Sequence, residues 1–292
     1  MSKIIVATDS HSGLSPQQAK QMGVMLLPMP FYFGEECYYE EVSLTREMFF
    51  ERLSAGETVS TSQPSPEDVL NFWREGLKEY DEIVYIPMSS GLSGSCHTAM
   101  MLAMDEKFEN KVFVVDNGRM STPLVRSLMD AQEMVKEGLS GREIKKILED
   151  TKELVSVYIA VETLEYLKKG GRISATTAAV GTLLNIKPIL KLGVGLLETY
   201  KNSRGMKKAK KEMLEALQSD IENSFREYYD KGEIYLLAAS SADEETTNAW
   251  VKEIKDFFPG MEVLSGNLSL GVCCHTGPGA LGVGVSCRPK RG

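Results

Sequence analysis

The sequence contains few residues of the types that bind metals or form disulfides. Its 292 residues include three histidines and five cysteines. The histidines (His11, His97 and His275) do not share the short spacings of metal ligands, and no two cysteines form a C-x-x-C pair. We therefore predict no metal site, no disulfide framework and no cofactor. Reduced thiols are the simple interpretation, and they indicate a cytoplasmic protein.

Long hydrophobic runs are also lacking. The apolar run at residues 4–7 is too short for the core of a signal peptide, and no later stretch approaches the roughly 18 apolar residues that a membrane span needs. We therefore expect no stable membrane insertion. The formal net charge of -8 argues against a broad surface for nucleic acid, so we expect no nucleic-acid partner.

The sequence also contains no convincing nucleotide-binding motif. No segment fits the phosphate-binding loop G-x-x-x-x-G-K-[ST]. Residues 277–282 fit G-x-G-x-x-G, but the residues after them are too few for the βαβ unit that a dinucleotide site requires. We therefore do not interpret this glycine-rich segment as a cofactor site.

Short apolar runs alternate with capped amphipathic segments along the first half of the chain. Ser15-Pro16 and Ser65-Pro66 each have the pattern of an N-cap followed by proline at the first helical position. The predicted strands cover residues 4–8, 24–33, 83–87 and 112–116, and further helices cover 94–104 and 123–137. This alternation predicts an α/β domain, residues 1–154, with a mainly parallel sheet and helices on both faces.

The second half predicts a smaller α/β domain, residues 155–292. Its predicted strands cover residues 155–161, 188–192, 195–200 and 234–239. Its predicted helices are one that ends at Gly170-Gly171 and others over 175–184, 207–228 and 243–258, and two further apolar runs follow them. The direction of these strands is left open by the sequence.

Hydroxyl-rich loops follow the predicted strands of the first domain. Such loops meet at the carboxyl edge of a parallel sheet, where α/β proteins bind ligands. Any one of these hydroxyls is explained by a helix cap or a turn, and Ser65 is interpreted as a cap alone. Residues 89–95 hold four serines and two glycines ahead of a helix, which is more than one cap needs. We interpret this loop as an anion site that uses hydroxyls, backbone N–H groups and a helix dipole.

A serine hydrolase is the alternative from the same residues. Ser93, Asp116 and His275 occur in the nucleophile–acid–base order of α/β-hydrolases. The segment 91–95 reads G-L-S-G-S, however, and lacks the last glycine of the G-x-S-x-G elbow. A regulatory module that binds some other small carboxylate is a third hypothesis.

Six motifs, taken in order, resemble those of the DegV family along nearly the whole chain. They are T-D-S at 8–10, T-S-Q-P at 61–64, S-S-G-L-S-G at 89–94, G-G-R-I-S at 170–174, N-I-K-P at 185–188 and H-T-G-P-G-A at 275–280. The resemblance implies two α/β domains with a long-chain fatty acid, such as palmitate (hexadecanoate), in the cleft between them. It also implies a non-catalytic role as the binding subunit of a bacterial fatty-acid kinase, whose separate ATP-dependent subunit makes an acyl phosphate for phospholipid synthesis.

The resemblance assigns roles to particular residues of this chain. It implies that Thr61 and Ser93 hold the carboxylate, that His275 lies close to it, and that Arg204 joins this polar network. Arg172 is implied to dock the kinase subunit. Ser62, Gly94 and Ser95 complete the set of expected ligand-binding residues.

Two positions depart from the family pattern. Asp116-Asn117 stands where the family commonly has V-D-S after the fourth strand, and His97 stands where an aromatic residue is frequent. These departures concern the shape of the head-group site and not the two hydroxyls.

Overall fold

The computed structural model describes residues 2–173, 185–193 and 197–290, and divides the chain into two compact units. Unit 1 holds the residues up to Lys152, Ser269–Gly271 and those from Pro289, and unit 2 holds Glu153–Leu268 and Val272–Arg288. The chain therefore returns briefly to unit 1 before it finishes unit 2. The predicted helix at 175–184 lies outside the described residues.

The helices and strands of unit 1 are, in chain order, β1 (Ile4–Asp9), α1 (Pro16–Met22), β2 (Met25–Leu27), β3 (Pro30–Phe33), β4 (Glu36–Tyr39), α2 (Arg46–Ser54), β5 (Val59–Thr61), α3 (Pro66–Gly76), β6 (Glu82–Ile86), α4 (Ser95–Leu102), β7 (Val112–Val114), α5 (Ser121–Lys136) and α6 (Gly141–Asp150). A short 3-10 turn, Ser10–Ser12, follows β1.

A four-stranded parallel sheet forms the centre of unit 1, in the order β2-β1-β6-β7. Two groups of buried side chains pack around its strands. One includes Trp73 of α3 and Ala99 of α4, and the other includes Leu124 of α5 and Ile144 of α6. The predicted parallel α/β architecture is confirmed. Its cause is the near-continuous apolar character of strands that are covered by helices.

The prediction of one strand over residues 24–33 is wrong. The segment forms two short strands in different sheets, because Pro28 and Pro30 interrupt the ladder: proline has no N–H to donate. β2 joins the parallel sheet, whereas β3 is the middle strand of a separate antiparallel sheet, β4-β3-β5. This small sheet carries Thr61 at the end of β5.

The helix starts were predicted from capping chemistry, and two of them are confirmed in detail. Ser15 accepts the N–H of Gln18 and Ser65 accepts the N–H of Asp68, each in a reciprocal capping box with proline at the next position. α6 has the same kind of capping box at Ser140, which was not predicted.

The helices and strands of unit 2 are β8 (Val155–Ala160), α7 (Glu165–Lys169), β9 (Ile186–Leu192), β10 (Leu197–Arg204), α8 (Met206–Asn223), α9 (Arg226–Asp230), β11 (Ile234–Ser240), α10 (Glu244–Phe257), β12 (Val263–Asn267) and β13 (Leu281–Cys287). A helix that we number α11, Leu270–Thr276, precedes β13 and begins in the part of the chain assigned to unit 1.

A mixed sheet, β10-β9-β8-β13-β11-β12, forms the core of unit 2. Only β11 and β12 pair in parallel, and the remaining neighbours are antiparallel. The single helix predicted over 207–228 is instead α8 and α9, with a break at residues 224–225. Among the described residues, no helix is long and apolar enough to cross a membrane.

Candidate functional site

Thr61 ends β5, the edge strand of the small antiparallel sheet, and pairs with Phe31. The next residue, Ser62, donates its N–H to the carbonyl of Pro30 at 3.4 Å. Thr61 is partly buried, whereas Ser62 and Gln63 are exposed. The sheet therefore fixes the backbone of Thr61 from one side and leaves residues 62 and 63 at the surface of unit 1.

The loop 89–95 forms a compact turn. The carbonyl of Ser89 accepts the N–H groups of Leu92 and Ser93, each at 3.1 Å, and the hydroxyl of Ser89 accepts the N–H of Gly91 at 3.3 Å. The Ser93 hydroxyl lies 3.0 Å from the Ser95 hydroxyl and accepts the Ser95 N–H at 3.3 Å. Ser93 is therefore bound to the first turn of α4, where the dipole of that helix is positive.

Gln63 connects these two loops. Its side-chain oxygen accepts a hydrogen bond from the Thr98 hydroxyl on α4 at 3.0 Å. The same oxygen lies close to Gly94, where a Cβ atom would meet it at an ordinary 3.7 Å. The T-S-Q-P and G-L-S-G motifs are thus neighbours in unit 1. Gln63 and Thr98 were not predicted as a pair, because their contact depends on tertiary structure.

Residues of the T-D-S motif make hydrogen bonds next to the loop 89–95. Asp9 is fully buried, and its two carboxylate oxygens accept the N–H groups of His11 and Met88, both at 2.9 Å. The bond to Met88 joins the end of β1 to the end of β6, directly before the loop 89–95. The hydroxyl of Thr8 donates to the carbonyl of Ile86 at 2.7 Å. These polar groups hold the sheet edge together.

Asp116 forms a hydrogen bond with the same loop, 89–95. Its carboxylate accepts the N–H of Ser90 at 3.2 Å, and its own N–H donates to Glu149 at 3.1 Å. Asp116 and Ser93 lie in unit 1, whereas His275 lies in unit 2. Within the part of the chain that the structure describes, Asp116 and Ser93 make hydrogen bonds that hold the loop 89–95, and these bonds do not favour the hydrolase hypothesis.

In unit 2 the G-G-R and H-T-G motifs lie against each other. The His275 ring packs on the backbone of Gly170 so closely that a Cβ atom there would sit 1.9 Å from Nδ1. Tyr166 packs in the same way on Gly277, at 2.4 Å from the position of an added Cβ. Arg172 donates from Nη1 to the carbonyl of Gly170 at 2.6 Å. Glycine is thus required at 170 and 277 by close approach.

The N-I-K-P motif lies beside Arg204. Asn185 accepts the N–H of Gly205 at 2.9 Å, and Arg204 pairs with Ile186 across β9 and β10. Arg204 is exposed, and Lys187 forms an ion pair with Glu162. Among the residues that the structure describes, no cluster of three or more histidine, cysteine or acidic side chains has the arrangement of a metal site.

Comparison with known proteins identifies the family. Residues 3–288 match a family model described as "Uncharacterised protein, DegV family". The chain belongs to the DegV family. A DegV domain-containing protein of Deinococcus radiodurans is 31% identical over 97% of this chain and 98% of its own length. The family match and this relative each cover nearly the whole chain.

Two solved DegV structures are similar over almost the full length. A DegV family protein from Thermus thermophilus, described by its fatty acid binding, has 32% sequence identity and a TM-score of 0.84 over 98% of this chain and 99% of its own. DegV of Bacillus subtilis, described as a fatty acid binding protein, has 28% identity and a TM-score of 0.84 over 98% of this chain and 100% of its own.

Proposed function

We propose that this DegV protein binds a long-chain fatty acid and presents the carboxylate to a separate fatty-acid kinase subunit. The observation that carries the proposal is the pairing of Gln63 with Thr98, which brings Thr61 of one motif and Ser93 of another to the same part of unit 1. The fatty acid binding of the two similar DegV structures supports the choice of ligand.

The contacts of Ser93 suit it to bind an anion. A hydroxyl has one proton to donate and two lone pairs to accept. The Ser93 oxygen already accepts the N–H of Ser95 at 3.3 Å, and it lies within 3.0 Å of the Ser95 hydroxyl. When Ser95 donates to Ser93, the Ser93 proton is available to a carboxylate oxygen. Accepting two donors also polarises the Ser93 hydroxyl and strengthens the bond that it gives.

Thr61 supplies the second hydroxyl, and Ser62, Gly94 and Ser95 lie on the same two loops. Hydroxyls, backbone N–H groups and a helix dipole satisfy a carboxylate without burying an ion pair. His275 and Arg204 are proposed as further head-group residues and Arg172 as the docking residue; these roles, like the position of the acyl chain, stay predictions. The acyl chain contributes about 0.8 kcal/mol for each methylene that it buries.

The protein itself is proposed to be non-catalytic. In the coupled reaction a carboxylate oxygen of the fatty acid attacks the γ-phosphorus of ATP on the kinase subunit. An oxygen–phosphorus bond forms, the bond from that phosphorus to the β-phosphate breaks, and ADP leaves. The binding subunit has to hold the carboxylate ionised and oriented, with one oxygen accessible, and donors at Thr61 and Ser93 favour the ionised form.

The first test is direct. The purified protein is incubated with palmitate, washed, denatured and extracted with organic solvent, and mass spectrometry measures fatty acid per protein. We expect near-stoichiometric fatty acid. Absence of bound lipid across a range of chain lengths overturns the proposal, and recovery of a short acid supports the hypothesis of a module for another carboxylate.

The second test addresses the two hydroxyls. Thr61→Ala and Ser93→Ala each remove one hydrogen bond to a charged group, so we expect affinity to fall by about 10- to 100-fold. Ser60→Ala is the matched control, because Ser60 precedes Thr61 on β5 and its side chain points to the other face. Affinities of both test variants equal to that of the control contradict the assignment.

The third test addresses presentation. With a fatty-acid kinase catalytic subunit and ATP, we expect the protein to supply palmitate for acyl phosphate formation. Arg172→Ala should slow this reaction with unchanged palmitate affinity, and Lys168→Ala is the control on the neighbouring helix. A fluorophosphonate probe that labels Ser93 would instead support the hydrolase and contradict a non-catalytic role.

A further inference from the structure

A small cluster of buried polar side chains is adjacent to the loop 89–95. Asn117, Arg119 and Ser127 are 1%, 2% and 0% exposed. The Ser127 hydroxyl on α5 accepts hydrogen bonds from the Asn117 amide at 2.7 Å and from Nη1 of Arg119 at 3.0 Å, and it donates to the Pro123 carbonyl at 3.2 Å. Ser127 is thus bound on three sides and is the centre of the cluster.

The cluster is joined to the head-group loop by a short chain of hydrogen bonds. The carbonyl of Arg119 accepts the N–H of Ser89 at 2.9 Å, and the carbonyl of Ser89 accepts the N–H of Ser93 at 3.1 Å. Asp116, at the other end of the same segment, accepts the N–H of Ser90. Residues 116–119 therefore hold the turn 89–93 at two points, and Ser127 holds residues 117 and 119.

A requirement for stability alone does not explain why a serine and an arginine are buried here. Serine within a helix competes with the helix for hydrogen bonds, and burying a guanidinium costs free energy that an apolar residue would avoid. Three hydrogen bonds that converge on one buried hydroxyl do fix the geometry of the groups attached to it. Here the attached group is the turn that carries Ser93.

We propose that Ser127 is a positioning residue for ligand binding, which acts through Arg119 and Ser89 to place the Ser93 hydroxyl. The inference rests on the proposed binding of a carboxylate by Ser93. It also gives a role to Asn117, whose side-chain amide donates to Ser127.

A double-mutant cycle on the full chain tests this role. Palmitate affinity is measured for the unmodified protein, Ser127→Ala, Ser93→Ala and the double variant. If Ser127 acts through Ser93, Ser127→Ala weakens binding by about 10-fold in the unmodified protein and by less than about 2-fold in the Ser93→Ala background. Asn117→Ala should show the same dependence on Ser93.

Two further measurements separate positioning from general loss of structure. Ser156→Ala is the matched control, because Ser156 is a buried serine with a hydrogen bond to Asp220 in the core of unit 2. We expect it to lower the melting temperature and to leave palmitate affinity within about 2-fold. Ser127→Cys keeps the size and a weak acceptor, so it serves if Ser127→Ala fails to fold.

Palmitate labelled with carbon-13 at the carboxyl gives a spectroscopic readout. Its chemical shift in the complex should move in Ser127→Ala in the same direction as in Ser93→Ala. Equal losses of affinity in both backgrounds, or no loss at all, overturn this inference while palmitate binding by the unmodified protein still stands. Failure of the unmodified protein to bind any fatty acid overturns both proposals.

Discussion

The side-chain oxygen of Gln63 accepts a hydrogen bond from the hydroxyl of Thr98 at 3.0 Å, across 35 residues of sequence. Gln63 stands two residues after Thr61, and Thr98 lies on α4, whose first residue Ser95 is bound to Ser93. The antiparallel β3–β5 sheet and the parallel sheet of unit 1 each deliver one hydroxyl-bearing loop, and this bond joins the loops.

The Gln63–Thr98 bond predicts equal and non-additive effects on binding. Gln63→Ala and Thr98→Val each break the bond and loosen the two loops, so we expect palmitate affinity to fall by about 3- to 5-fold in each variant. The double variant should bind no more weakly than either single one. Both residues lie towards the surface, so the melting temperature should change little. Isothermal titration calorimetry measures the palmitate affinities of the three variants, and additive losses of affinity in the double variant would contradict the prediction.

Glu40 predicts a dependence of stability on pH. Burial raises the pKa of the Glu40 carboxyl from 4.5 to about 7, although the Leu270 N–H at 2.8 Å and the charges of Arg46 and His11 lower it. The folded state therefore keeps a proton that the unfolded state releases, so the free energy of unfolding decreases as pH rises from about 4.5 to about 7.

Glu40→Gln removes this titration and keeps an acceptor for Leu270. The full shift is worth about 3 kcal/mol, and partial exposure of the side chain reduces this to about 1 to 2 kcal/mol. We expect the variant to gain that much stability relative to the unmodified protein between pH 5 and pH 8, in urea unfolding. Glu35→Gln, on the exposed turn between β3 and β4, is the control. Parallel curves for Glu40→Gln and the unmodified protein would refute the prediction.

The close packing of His275 on Gly170 predicts that a larger residue at position 170 destabilises the protein. The backbone of Gly170 is right-handed helical (φ -78°, ψ -8°), so alanine fits the conformation, but its Cβ atom would overlap the His275 ring. We expect Gly170→Ala to destabilise the protein by about 1 to 3 kcal/mol as the ring is displaced. Thermal unfolding measures this loss.

Gly94→Ala is the matched control for Gly170→Ala. Gly94 has a similar conformation (φ -68°, ψ -11°), and an added Cβ would meet only an ordinary contact, so stability should stay level or rise by about 0.4 to 1 kcal/mol. A fully stable Gly170→Ala variant would show that His275 is not held against this backbone.

The thiols predict a simple labelling pattern. Cys37 is exposed, and the other four cysteines are buried. Burial also raises the pKa of the Cys96 thiol well above its ordinary value, which removes the reactive thiolate. We expect one thiol to react rapidly with Ellman's reagent in the native protein and five after unfolding. Cys37→Ser should abolish the fast phase, and a remaining fast phase would contradict the burial of the other thiols.

The sequence by itself determined the parallel α/β architecture of the first half, the capped starts of the helices at Pro16 and Pro66, and the family. These follow from local chemistry: apolar periodicity sets strands and helices, and side chains three residues apart satisfy the first N–H groups of a helix. The six motifs also indicate where the polar loops lie along the chain.

Tertiary structure decided which polar groups meet. Pro28 and Pro30 mark a break in one apolar run, but sequence order does not show that its two halves join different sheets, or that Gln63 bonds to Thr98. Nor does it show that Asp9, at the end of β1, and Arg119, in the loop between β7 and α5, bond to the neighbouring residues Met88 and Ser89 at the start of the Ser93 turn. Such contacts join residues that are distant in the chain, and their partners are selected by packing of the whole unit, which no local pattern encodes.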